Sequence, residues 1–119
     1  MKRDLTNCEI HLVSLNLANI QRIIALGEVK ISSHGYDELA EDGILIRDVM
    51  AGVETAVLIE DYPDYPKGLC VLVLQRDGDN KPVHAIWGIP KGKDSPAVLV
   101  TAYRPDPERW SDNFLGRRL

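Results

Sequence analysis

Apolar residues near the start of the chain recur every three or four positions, which is the spacing of an amphipathic helix. Leu17, Ile20, Ile23 and Ile24 follow this pattern. Gly27 comes directly after them and is a typical helix stop. The pattern therefore predicts a helix over about 14–26.

Two further helices are predicted before the pattern changes. The first begins near Ser33, with Ser32 or Ser33 as its cap, and Gly43 suits the left-handed position at its end. A shorter helix with its apolar residues on one side follows over about 46–52. The first half of the chain is therefore predicted to be mainly helical.

The second half contains β-branched runs separated by turn residues, which is typical of strands. The runs cover 53–60, 69–76, 82–89 and 97–103, and the Asp-Gly-Asp-Asn turn at 77–80 favours a hairpin. Helices followed by consecutive short strands indicate an α+β fold. We expect the N-terminal helices to pack on one face of a four-stranded antiparallel sheet.

The last two strands also predict which side chains share a face. Alternate positions of 83–87 are apolar, and so are alternate positions of 98–102, counted from the first residue of each range. Directly opposed residues point the same way, so burial of these two sets puts His84 on the other face with Thr101 and Tyr103. We expect the helices to cover the apolar face and to leave the His84 face partly open.

Charge is distributed unevenly along the chain. The net charge of −4 disfavours a general nucleic-acid binder, because phosphate contacts need Lys and Arg. Residues 1–66 hold 5 basic and 12 acidic side chains, whereas 67–119 hold 9 and 6. A local cationic surface that includes Lys91, Lys93 and Arg104 is compatible with this composition, and ordinary solvated charges explain it equally well.

Size and composition suit one soluble domain. With 119 residues, 45% of them hydrophobic, the chain is long enough to bury a core as a single domain over 1–119. The longest apolar stretch, 69–74, is far shorter than a membrane span, and the first residues are polar. Cys8 and Cys70 lack the spacing of a disulfide framework or a zinc site, and Cys70 is expected to be buried. We expect a cytoplasmic protein.

Two histidines are the candidates for acid/base chemistry. His34 lies at the opening turn of a predicted helix, where the dipole favours a neutral ring that accepts a proton near pH 7. His84 lies on a strand. General acid/base catalysis needs one proton acceptor and one donor, which these rings would supply together. A surface histidine beside a cap and a hydrogen-bonded structural histidine are the ordinary alternatives.

Motifs for metals and cofactors are not found in the sequence. His11, His34 and His84 do not form a cluster at metal-ligand spacing. The sequence contains neither a P-loop nor a dinucleotide-binding glycine motif. We therefore predict neither a metal site nor a cofactor.

An ordered set of short motifs resembles the bacterial domain-of-unknown-function family 4258 over about residues 28–118. The motifs are Ile31-Ser32-Ser33-His34, Glu38 to Ile44, Asp48-Val49, the Tyr62 to Pro66 turn, Pro82-Val83-His84, and Thr101 to Pro107 with Trp110. That family resembles a branch of the barnase, EndoU, colicin and RelE-like ribonuclease fold. Its members resemble toxins that are encoded beside an MqsA-like zinc-finger antitoxin.

The resemblance implies a toxin-type endoribonuclease, similar to mRNA interferases, that cleaves RNA without a metal. The implied catalytic residues are His34, His84, Thr101 and Tyr103, and the implied substrate-binding residue is Arg104. Lys91 and Lys93 of the basic loop are added to it as predicted substrate-binding residues. The resemblance also implies a RelE-like α+β core over 28–118, and the predicted amphipathic helical extension over 1–27 lies outside the resemblance. The implied partners are RNA and an MqsA-like antitoxin, and the extension would pair with a partner or a second copy.

Two other functions fit the same sequence. A non-catalytic binding module would keep the fold and use the open sheet face for a protein partner or ligand. A small metal-dependent hydrolase would carry stoichiometric bound metal.

Overall fold

A computed structural model describes residues 14–118. In this part of the chain the helices are α1 (Leu15–Ala25), α2 (Ser33–Asp42) and α3 (Ile46–Gly52), and the strands are β1 (Val29–Ile31), β2 (Val57–Tyr62), β3 (Cys70–Arg76), β4 (Pro82–Gly88) and β5 (Ala97–Tyr103). A short 3₁₀ turn, Val53–Thr55, joins α3 to β2. No helix within these residues has the length and apolar character needed to cross a membrane.

Helix α1 confirms the predicted helix at the start of the chain. The Ser14 hydroxyl oxygen caps it by accepting a hydrogen bond from the Leu17 amide at 3.0 Å. Its four predicted apolar residues are buried and join the main core. The apolar side is therefore occupied by the chain's own core. Pairing of this helix with a partner stays a prediction, and such a contact would use its exposed side, which carries Leu15 and Leu26.

Helix α2 begins at the predicted cap and lies close against β5. The Ser32 hydroxyl accepts from the Gly35 amide at 2.9 Å and donates to the Val100 carbonyl at 2.8 Å. A Cβ at Gly35 would lie only 2.9 Å from the Leu99 carbonyl oxygen, so a glycine permits this close approach. Gly43 ends the helix in the left-handed conformation, with a φ of 65°.

The sheet has five strands in the order β1-β5-β4-β3-β2. Strand β1 pairs parallel with β5, and the other neighbours are antiparallel. The predicted four-stranded antiparallel sheet is therefore corrected to a mixed five-stranded sheet. Strand β1 spans only three residues between a helix stop and a helix cap, which is too short to show a strand pattern. Strand β2 begins at Val57 rather than at residue 53, because Val53 turns inward in the 3₁₀ turn and is buried.

All three helices pack on one face of the sheet and form the hydrophobic core with it. Apolar residues of β3, β4 and β5 point into this core, including Val71, Val73, Ala85, Trp87 and Leu99. Gln75 is buried as well: its side chain accepts from the Trp87 indole N–H and donates to the Val49 carbonyl, both at 2.9 Å. This face is therefore closed to solvent.

The pairing of β4 with β5 confirms the predicted position of the polar trio. His84 lies opposite Tyr103, and Ile86 lies opposite Thr101, so all four point away from the core. The prediction that alternate positions of 98–102 face the core is correct for Ala102 and wrong for Val98 and Val100. A register shift between Ile86 and Trp87 turns Leu99 inward instead.

Candidate functional site

The sheet face opposite the helices carries three cross-strand rows of side chains. The first row is Leu74, His84 and Tyr103; the second is Glu60, Leu72, Ile86 and Thr101; the third is Tyr62, Cys70, Gly88 and Val98. Neighbouring rows are two residues apart along β2, β3 and β4, or roughly 7 Å, and the register shift puts the second and third rows three residues apart along β5. Chemistry-bearing side chains from four strands are therefore gathered on one face.

In the first row, His84 is covered by the C-terminal segment, residues 105–118. The Trp110 ring meets the His84 ring edge to face, with 4.3 Å between centroids, and Trp110 is itself buried. His84 Nε2 donates to the Phe114 carbonyl oxygen at 2.9 Å, and His84 Nδ1 lies 3.3 Å from the Tyr103 hydroxyl. The His84 side chain is 0% exposed. The expectation that this face is partly open is therefore wrong at His84 itself.

These contacts define the protonation state of His84. A carbonyl only accepts hydrogen bonds, so Nε2 carries the ring proton and Nδ1 accepts from the Tyr103 O–H. Burial lowers the pKa of His84, which keeps the ring neutral near pH 7, although the Phe114 carbonyl opposes this effect. Burial also raises the pKa of Tyr103. In this conformation His84 orients the Tyr103 hydroxyl and does not face solvent.

The second row ends in a carboxylate held by an arginine of the C-terminal segment. Arg117 donates two hydrogen bonds to Glu60, at 2.8 and 3.0 Å, and its guanidinium lies 4.8 Å from the centre of the Trp110 ring. The Tyr62 hydroxyl also donates to Glu60. The Arg117 hydrogen bond is the main cause that lowers the pKa of Glu60, so this carboxylate is ionised at neutral pH.

The third row forms the floor of an open concavity of about 520 Å³, which we call the trough. Tyr62, Tyr65, Lys67, Leu69, Ile86 and Val98 are among its lining residues. This volume lies within the range of small-molecule and cofactor sites, and a mainly apolar lining is typical of them. The Cys70 thiol lies on the floor and is buried, as predicted, and burial raises its pKa. Cys70 is therefore a protonated packing residue and not a nucleophile.

Two smaller hollows adjoin the trough and bring lysines to its rim. One contains Lys91 and Lys93 together with Tyr65 and Asp64. The other contains Lys30 and Lys93 near the start of α2. The predicted substrate-binding lysines therefore lie at the rim of the trough, on the loop between β4 and β5.

The structure does not bring His34 and His84 together. His34 is exposed on α2, which packs on the core face through Leu39, whereas His84 points to the other face. Because a sheet layer lies between them, the two rings do not flank a common pocket. Thr101 shares the second row with Glu60 and is half-buried.

Arg104 is engaged in holding the end of β5. Its guanidinium lies 2.8 Å from the Asp77 carboxylate and 3.3 Å from the Pro82 carbonyl oxygen. Its backbone amide donates to Asp42 at 2.8 Å. These bonds join β5 to the turn between β3 and β4 and to the end of α2.

Three residues of the site are absent from the sequence-based prediction: Glu60, Tyr62 and Arg117. The predicted strand over 53–60 ends before Tyr62, and a strand extended to residue 62 would have put Glu60 and Tyr62 on one face, because they are two residues apart. No local pattern relates Arg117 to Glu60, since 57 residues separate them. Within residues 14–118 no group of three or more His, Cys, Asp and Glu side chains is placed to hold a metal ion.

Comparison with known proteins gives one match. Residues 31–104 match the model of a family described as Domain of unknown function (DUF4258). The match covers more than half of the chain and includes β2 to β5, and it ends just before the C-terminal segment. Neither the curated proteins nor the solved structures that were compared with the chain gave a significant match.

Proposed function

This chain belongs to the DUF4258 family, and we propose that it is a metal-independent endoribonuclease of the toxin type, with single-stranded RNA lying along the open sheet face. The observation that carries the proposal is the Glu60–Arg117 pair. It lies on the row between the trough and the covered His84. A carboxylate, a guanidinium and two tyrosine hydroxyls are then available on the same face.

The guanidinium of Arg117 is the proposed phosphate-binding group. It already presents two N–H donors to one carboxylate, and a phosphate offers the same bidentate geometry. When RNA phosphate takes over these donors, Glu60 loses the main group that lowers its pKa. The carboxylate then becomes a stronger base at the moment when substrate is bound.

The proposed cleavage is a transphosphorylation that balances without a metal. Glu60 takes the proton of the ribose 2′-hydroxyl, the 2′-oxygen attacks phosphorus, and the bond from phosphorus to the 5′-oxygen breaks. The leaving 5′-oxygen takes a proton from a tyrosine hydroxyl, either Tyr62 or Tyr103, leaving a cyclic phosphate and a 5′-hydroxyl. His84 serves as a positioning residue that orients Tyr103. This assignment replaces the pairing of His34 with His84 as acid and base.

The test is cleavage of single-stranded RNA by the full-length chain in the presence of a chelator. Glu60→Gln is expected to reduce the rate ~10²- to 10⁴-fold, which is the usual contribution of a general acid or base. Glu41→Gln changes an exposed carboxylate on α2 and serves as the matched control, with an unchanged rate. Lack of cleavage by the wild-type chain, or full activity of Glu60→Gln, would contradict the proposal.

A non-catalytic binding module is the second candidate, and the burial of His84 favours it. Both ring nitrogens are hydrogen-bonded and the side chain is 0% exposed, which is typical of a structural histidine. In this case the trough alone would engage a protein partner or ligand. The same assay separates the two candidates, because a binding module leaves RNA intact while trough variants still lose their ligand.

A further inference from the structure

The aromatic and apolar lining of the trough suggests what kind of chemical group would fit there. Its floor is formed by aliphatic side chains such as Leu69, Ile86 and Val98, and two tyrosines stand at its edge. Flat aromatic groups that are exposed to water in the free state gain most from such a lining, since stacking on an aromatic ring removes one of their faces from water. Unpaired nucleobases are groups of this kind.

Tyr65 is the tyrosine that is available for stacking. Its side chain is 53% exposed, and it lines both the trough and the adjoining hollow that contains Lys91 and Lys93. Tyr62 also lines the trough, but its hydroxyl is bonded to Glu60. Tyr62 therefore connects the trough to the proposed cleavage site, and Tyr65 stands farther along the same surface.

The charges around the trough complement a phosphate backbone. Lys67 lines the trough itself, Lys91 and Lys93 line the adjoining hollow, and the two loops touch through the Lys91 amide and the Lys67 carbonyl at 3.1 Å. Asp64 is the acidic residue in that hollow, so cations outnumber anions there. None of these three lysines forms an ion pair with another residue within 14–118. A cationic rim beside a stacking surface is the arrangement used by proteins that bind single strands.

We infer that the trough is a base-binding subsite for single-stranded RNA, with Tyr65 as the stacking platform and Lys91 and Lys93 as contacts for the adjacent phosphates. The inference rests on the proposed function for the identity of the ligand. It adds that nucleotides beside the cleaved bond are held by stacking. Because stacking accepts every base, sequence preference is expected to be modest and to follow stacking strength.

The experiment measures binding of an RNA octamer whose 2′-hydroxyls are methylated, because such an RNA is not cleaved. Tyr65→Ala is expected to weaken binding ~5- to 150-fold, the range for loss of one stacked base. An abasic octamer with the same number of phosphates should bind the wild-type chain as weakly as the methylated RNA binds Tyr65→Ala. The double variant Lys91→Gln/Lys93→Gln should bind both octamers more weakly than the wild type does, and its affinity should depend less on salt concentration.

Tyr36→Ala is the matched control, because Tyr36 is 52% exposed but lies on α2, away from the trough. Its affinity should equal that of the wild-type chain. Equal binding of Tyr65→Ala and the wild type, equal binding of the two octamers, or no RNA binding at all would overturn the inference. Binding that depends on Tyr65 without any cleavage of ordinary RNA would support the inference and contradict the proposed function. RNA cleavage at the same rate in Tyr65→Ala and the wild type would support the proposed function and contradict the inference.

Discussion

Two ends of the same sheet face differ sharply in access. At one end His84 lies under Trp110 and the backbone of Phe114, while at the other end the trough is open to solvent. Both ends are built from the same strands, and only one row lies between them. The alternation of side chains along a strand decides to which face a residue points. The packing of a segment that is distant in sequence decides whether solvent or a ligand can reach that residue.

The groups that hold the C-terminal segment over His84 are unequal in energy. Trp110 is buried against the His84 ring, whereas the Arg117–Glu60 pair lies at the surface. Burial of a large aromatic side chain stabilises by several kcal/mol, and exposed ion pairs contribute about 0–1 kcal/mol. The covered end should therefore depend on Trp110 far more than on the ion pair.

The largest effect is expected for Trp110→Ala, which removes the cover of His84. The free energy of unfolding should fall by about 3–5 kcal/mol, as for other buried tryptophans. Urea unfolding checks this value. Val100→Ala, at an exposed position in the trough, should change it by no more than about 0.5 kcal/mol. If Trp110→Ala proved equally mild, the two ends would not differ in packing as described.

A smaller loss is expected for Tyr103→Phe, which removes the hydroxyl that donates to His84. The buried Nδ1 acceptor is left without this partner, at a cost of about 1–3 kcal/mol in the free energy of unfolding. Tyr65→Phe makes the same chemical change in the trough and should be nearly neutral, because Tyr65 is 53% exposed. Similar losses in the two variants would show that the hydrogen bond to His84 is unimportant.

Acidification should weaken the covered end in a defined pH window. The pKa of His84 is lowered from 6.5 in the native state, so below pH 6.5 the unfolded chain binds a proton that the folded chain does not. Stability contributed by the neutral ring is therefore present above this pH and is lost as the pH falls. The lowered pKa of Glu60 acts separately, below pH 4.5.

The measurement is the melting temperature of the wild type and of His84→Gln between pH 7.5 and 5. The wild type should lose stability on acidification more steeply than the variant. Parallel curves would mean that His84 titrates in the native state as freely as in the unfolded chain.

The smallest effect on stability is expected for Arg117→Gln. Its ion pair with Glu60 is largely exposed, so the free energy of unfolding should fall by about 0–1 kcal/mol. Arg109→Gln, which affects the exposed pair with Asp106, is the matched control and should change stability similarly. In the cleavage assay the two variants should differ in activity: Arg117→Gln should lose RNA cleavage, and Arg109→Gln should keep it. Activity retained by Arg117→Gln would remove Arg117 from the proposed site.

Local signals in the sequence were sufficient to predict the three helices and the side of the sheet to which His84 points. Ser32 and Gly43 mark the ends of α2, and the alternation along β4 places His84 opposite Tyr103. These features depend on neighbouring residues, which is why a single sequence reveals them. The parallel strand β1 and the register shift that turns Leu99 inward depend on pairing across the sheet, which periodicity does not report.

The candidate site was predictable only in part for the same reason. Strand register grouped Tyr103 with His84, whereas the family resemblance added His34. In the structure His34 lies on the opposite side of the sheet from His84 and Tyr103. Glu60 and Arg117 meet only after the C-terminal segment folds back over the sheet. A site built across 57 residues by a segment without regular structure leaves no spacing to recognise.

The most direct test of the central claim is to map RNA on the surface by NMR. Amide chemical shifts of the full-length chain would be followed as the methylated RNA octamer is added. We predict the largest changes at 60–70 and 88–93, around the trough and Glu60, and small changes along α2, which carries His34. Changes centred on α2, with the trough unaffected, would contradict the claim that ligand enters at the open end of the sheet face.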